Sequence, residues 1–191
     1  MLEALSHIAT GFGLAGAAGL NAYVPLLIVA LAARFTSLVS LNPPFDLLTD
    51  NLVIAVITVL LLIEVLVDKI PAVDTINDMI HTFVRPAAGA ILFAASSNAI
   101  GDLHPVLALV CGLVLAGGVH AVKATARPVV TALTGGVGNP VVSTAEDAVS
   151  AGVSLLAVLA PLLGVFVLLG LLLAVFLWYR SRRRVVHDRS R

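Results

Sequence analysis

The sequence predicts an all-α polytopic membrane protein with about six short transmembrane helices and one amphipathic or re-entrant helix. Three observations predict it. Of 191 residues, 60% are apolar and only 12% are charged, where soluble domains carry about 45–50% and about 25%. The apolar residues gather in long uncharged runs, as a chain dissolved in lipid requires. Between the runs lie ionisable residues at helical spacing. This composition excludes a soluble nucleic-acid binder, a disordered chain and a secreted disulfide scaffold. Cys111 is the single cysteine and stands in an apolar run. The organisation is one transmembrane domain over 1–179 followed by an Arg-rich tail over 180–191.

The first run, Ile8 to Ala33, is uncharged for 26 residues, about 39 Å of helix. Glu3, rather than a basic segment, precedes it, so it reads as a retained membrane helix and not a signal peptide. Gly13, Gly16 and Gly19 suit close helix packing, as do Gly117 and Gly118 further on. Asn21 and Pro25 predict either a break near mid-membrane or a kink with the amide bonded across helices. Leu52 to Val67 is the second run, interrupted by Glu64; Ala87 to Ile100 and Val106 to Val119 follow. Ala148 to Trp178 holds 31 uncharged residues, about 46 Å of helix, which exceeds a hydrocarbon core of about 30 Å. Pro161 divides it, giving a turn at Ala160-Pro161 and six spans.

Charge fixes the orientation. With six spans and the tail in the cytoplasm, Lys69, Arg85, Lys123 and Arg127 all fall on the cytoplasmic side and Arg34 alone outside, as the positive-inside rule prefers. Both termini are then cytoplasmic.

Two polar clusters lie on that side. In the first, Glu64 and Asp68 are four apart and share a helical face. After Pro71, the residues Asp74, Asn77, Asp78, His81 and Arg85 form one stripe of an amphipathic helix. Asp74, Asp78 and His81 have the ligand types for a divalent metal, the one cofactor candidate in the chain. In the second cluster His120, Lys123 and Arg127 continue the fourth span as a basic stripe, and Pro128 is expected to end that helix. The stretch 135–140 is a glycine-rich loop. Ser143 and Glu146 read as a capping box opening the fifth span, with Asp147 beside it. An unpaired charge at the bilayer centre costs at least about 2.5–3.5 kcal/mol. The carboxylates Glu64, Asp68, Asp74, Asp78, Glu146 and Asp147 are therefore expected to meet Lys69, Arg85, Lys123 and Arg127 in one composite site open to the cytoplasm.

The stretches Gly19-Leu-Asn-Ala-Tyr-Val-Pro25, Glu64 through Asp68-Lys69-Ile-Pro71 to Arg85-Pro86, His120-Ala-Val-Lys123 with Arg127, and Ser143-Thr-Ala-Glu146-Asp147 resemble an uncharacterised family of small bacterial integral membrane proteins, classified only as a domain of unknown function. The resemblance covers nearly the whole chain. It implies a helical protein of the bacterial inner membrane and supplies no activity. Where that family has a Pro-Glu-Pro-type loop, this chain has Gly138-Asn139-Pro140, so no acidic role carries over there.

The leading functional expectation is a small-solute or ion transporter or channel-like protein, oligomeric because six short helices enclose little, with the bilayer as its other partner. Asn21 would line the path, and the ionisable residues would hold the solute. The alternatives are a metal-dependent membrane enzyme acting on a phosphorylated lipid, with Lys123 and Arg127 on the phosphate, and a scaffold whose clusters are only ion pairs. No residue is assigned a catalytic role.

Overall fold

The computed structural model describes the backbone of residues 2–68, 71–98 and 104–161, together with positions 163, 166, 169, 170, 172–174, 176 and 177; side chains at 2, 3, 71–76, 78 and 98 lie outside that description. Six α-helices account for most of it: α1 (Leu2–Leu20), α2 (Tyr23–Phe35), α3 (Asn51–Val67), α4 (Pro71–Asn98), α5 (Pro105–Thr134) and α6 (Asn139–Leu159), with a short 3-10 turn at Phe45–Thr49. No strand occurs among the described residues. The protein is a helical membrane protein: Met79–Ser97, Pro105–Thr134 and Asn139–Leu159 are long and apolar enough to cross a bilayer, and α1, α2 and α3 contribute shorter apolar helices.

The run 8–33 is not one span. It is interrupted at Asn21-Ala22, and contacts on either side show that the chain reverses there. Going down α1, Gly11 meets Phe93, Gly13 meets Ala157, and Gly19 meets Ala116 and Val119. Because Phe93 is near the end of α4 and Val119 is deep in α5, α1 descends toward the middle of the bundle. Tyr23 then lies against His81, whereas Arg34 at the other end of α2 reaches the Thr49 carbonyl just before α3. So α2 climbs back to the end where α1 began. The pair is a helical hairpin with its tip at Asn21.

Helix α4 is the second departure. The amphipathic segment and the third apolar run form one continuous helix through Pro86, and α5 likewise continues through Pro128 to Thr134. Pro128 does not end its helix; Gly135, in the left-handed region at φ 61°, does. Each helix is then about 42–45 Å long at 1.5 Å per residue. They pack where glycine faces glycine: a Cβ on Gly112 would strike the Gly89 carbonyl and come within 2.7 Å of the Phe93 Cβ. Gly13 and Gly19 also sit in close contacts, whereas Gly118 faces open space.

Helix α6 starts at Asn139, with Pro140 in its first turn. Ser143 is therefore inside the helix, and the expected capping box does not form. A helix break falls at the expected position, with Ala160 at φ −148°, ψ 74° closing α6. Beyond it the described positions between 161 and 177 are helical, and Leu163, Phe166, Leu169, Leu173, Phe176 and Leu177 are all exposed, as side chains facing lipid would be.

Candidate functional site

Buried polar side chains form a layer halfway along α4 and α5. The apolar core above it (Leu14, Ala18, Leu26, Val29, Ile57, Leu92, Ala116) gives way at this level to Asn21, Glu64, Asp68, His81, Arg85, His120, Lys123, Arg127 and Ser143, all buried. From Arg85 to the end of α4 is 13 residues and from Pro105 to His120 is 15, about 20 Å in each case. Helix α2, at 13 residues, is about the same length, which is why its first turn reaches this layer and no further.

The hairpin tip is capped locally and tied into the layer. Asn21 is fully buried; its Oδ1 accepts from the backbone N–H groups of Tyr23 and Val24, 3.0 Å each. These are orphan donors at the start of α2. Its Nδ2 donates to Asp147 Oδ1 at 2.8 Å. The break and the cross-helix amide bond expected as alternatives thus occur together. At the end of α1 the Leu20 carbonyl accepts from Lys123 Nζ at 3.1 Å, placing a cation at the negative end of the helix dipole.

The ionisable groups meet across α3, α4, α5 and α6. Arg85 is fully buried and bridges: Nη2 donates to Glu64 Oε1 at 3.0 Å, and Nη1 lies 2.9 Å from His120 Nδ1. A guanidinium cannot accept, so His120 Nδ1 accepts and its Nε2 carries the proton toward Thr82 Oγ1, 3.2 Å away. His81 Nδ1 is 3.5 Å from the same Glu64 oxygen. Lys123 Nζ and Arg127 Nη2 share Glu146 Oε2 at 2.8 and 3.1 Å. Asp68 accepts from Asn77 Nδ2 at 2.8 Å and from the Ser143 hydroxyl at 3.2 Å, with Arg127 Nη2 3.9 Å away. Glu146 and Asp147 are partly exposed at the rim of the layer.

The two sequence clusters therefore do come together. Of the residues singled out, Asn21, Glu64, Asp68, Asn77, His81, Arg85, His120, Lys123, Arg127, Glu146 and Asp147 belong to the layer. Lys69 and the side chains of Asp74 and Asp78 lie outside the described residues. His81 turns to Glu64 and to the Tyr23 ring, 5.8 Å between centroids in an edge-to-face contact. Among the described residues no group of three or more His, Cys, Asp or Glu side chains is arranged to hold a metal ion.

Sequence reasoning missed Tyr23, Thr82 and the true role of Ser143. For Ser143 the signal was present. Ser143, Asp147, Ser150 and Ser154 fall at i, i+4, i+7 and i+11, one small polar stripe of an apolar helix. Ser150 donates to the Ala17 carbonyl at 3.0 Å, and Thr10 of α1 donates to the Ala157 carbonyl of α6 at 3.0 Å. The stripe thus seats the hairpin against α6.

No curated protein and no solved structure matches the chain. The sequence pattern of one family matches residues 8–181. The chain belongs to that family, described as Domain of unknown function (DUF4126).

Proposed function

We propose that the protein moves a small solute or ion across the membrane, with the buried polar layer as its binding site. The observation that supports this is the hairpin tip. A chain reversal with its two helix ends buried midway along α4 and α5 is irregular backbone at membrane depth, tolerated only inside protein or beside a hydrated path. Broken helices whose ends point into a polar site are the binding device of many transporters. Ionisable residues at such depth mark solute, ion or proton pathways.

The charge bias supports an orientation with the polar end toward the cytoplasm and Arg34 on the far face. The hairpin then carries the start of α1 to the Arg34 face, opposite to the side that counting six spans assigns. A second copy of the chain and the bilayer are the partners in this reading.

Vesicles of phosphatidylethanolamine and phosphatidylglycerol containing the purified protein test it, with Na+, K+, Cl− and inorganic phosphate as probes. One of these is expected to cross faster than in empty vesicles. Asp147→Asn, which weakens the hold on Asn21, is expected to slow it by about tenfold or more, the equivalent of one weakened charge-assisted hydrogen bond. Flux at the empty-vesicle level for all four probes, or flux unchanged by Asp147→Asn, contradicts the reading.

The mutual pairing of Lys123 and Arg127 with Glu146 favours a second reading, a structural scaffold. In that case the double replacement Glu64→Gln with Arg85→Gln retains full biological activity, because neutral partners fill the same space.

A further inference from the structure

We propose that Glu64 is a proton-binding site and that protonation of its free oxygen is coupled to the solute movement proposed above, on which the coupling, though not the proton site itself, rests. Glu64 is 2% exposed. Its two oxygens are treated unequally: Arg85 and His81 both address Oε1, and Oε2 has no hydrogen-bond partner among the described residues. The other carboxylates of the layer differ. Both oxygens of Asp68 are engaged, Glu146 is held by two cations at the rim, and Asp147 is partly exposed and bonded to Asn21.

The neighbours address Oε1 or are committed elsewhere. Arg85 addresses Glu64 through Nη2 and Oε1 alone, its other amino group being committed to His120. The imidazole of His120 accepts that bond and so brings no positive charge. Lys123 is drawn off to the Leu20 carbonyl and Glu146. Tyr23 from α2 interacts electrostatically with Glu64 and Arg85, Asp68 adds a like charge, and His81 completes the surroundings. A carboxylate sealed from water with one bare oxygen carries a desolvation cost that one shared donor does not offset. A proton removes that cost directly. Hydronium from the hydrated side gives its proton to Oε2, an O–H bond forms, the carboxylate becomes neutral, and water leaves; release on the other side is the reverse. Protonation also deprives Arg85 of its ionic partner and so changes the tie between α3 and α4, which is how proton binding reaches the hairpin tip.

Infrared difference spectroscopy of the protein in bilayers tests this without any solute. A carbonyl stretch of a protonated carboxylic acid is expected to rise as pH falls, to shift in D2O, to vanish in Glu64→Gln and to persist in Asp147→Asn. If Glu64→Gln fails to fold, Glu64→Asp is expected to keep the band at a displaced frequency. No such band, or a band retained in folded Glu64→Gln, overturns the proposal. So does a band that Na+ or K+ removes at constant pH, which would assign the site to an alkali cation. A band without flux in vesicles contradicts the transport reading and leaves the proton site standing; flux without the band does the reverse.

Discussion

Replacing Arg85 with leucine is expected to destabilise the protein by about 3–5 kcal/mol, the cost of stranding a buried charge by removing its partner. Arg85 is fully buried and is the hinge of the layer, donating to Glu64 and facing His120. Its loss leaves Glu64 Oε1 with only His81, at 3.5 Å, and His120 Nδ1 without its donor. The double replacement Glu64→Leu with Arg85→Leu is expected to recover much of that loss, since apolar side chains of similar volume often substitute for a buried pair at little cost. Unfolding in mixed bicelles and dodecyl sulfate measures both variants. A single variant within about 1 kcal/mol of the wild type would mean that the pair is solvated and the layer is not sealed.

The second large effect is expected at the hairpin tip. Asn21→Ala removes an acceptor from two backbone N–H groups and a donor from Asp147. Each buried polar group left unsatisfied costs about 1–3 kcal/mol, so a total of about 3 kcal/mol or more is expected in the same unfolding assay. Asn21→Ser is the informative control. Its hydroxyl can still cap α2 but is too short to reach Asp147, and about half of the loss is expected to remain. Equal stability of Asn21→Ala and wild type would show that the tip is hydrated rather than held by Asn21.

How far the sequence revealed this arrangement depends on which physical signal each element offered. Composition and uncharged runs were enough for the class and for most helix positions, because a lipid solvent imposes its demand on every residue of a span. The stripe from Asn77 to Arg85 was legible because its polar residues recur at helical spacing, and the cost of lone charges in hydrocarbon pointed to the pairing of Glu64 with Arg85 and of Asp68 and Glu146 with Arg127 and Lys123. Three local rules gave way to tertiary packing. Pro86 and Pro128 were accommodated inside α4 and α5, since neighbouring helices can satisfy the backbone groups a proline frees. Ser143 and Glu146 have the spacing of a capping box, but Pro140 starts the helix earlier and Asp68 takes the serine hydroxyl.

The hairpin was the least legible element. Hydropathy over residues 8–33 is the same whether the chain continues through Asn21 or turns back there. The turn is held by partners more than a hundred residues away, Lys123 and Asp147.

Labelling single cysteines on a Cys111→Ala background with a membrane-impermeant maleimide tests that reversal most directly. Ser6→Cys and Ser37→Cys are predicted to react from the same face of sealed vesicles, and Val137→Cys from the opposite face. Reaction of positions 6 and 37 from opposite faces would restore a single span over residues 8–33 and contradict the hairpin.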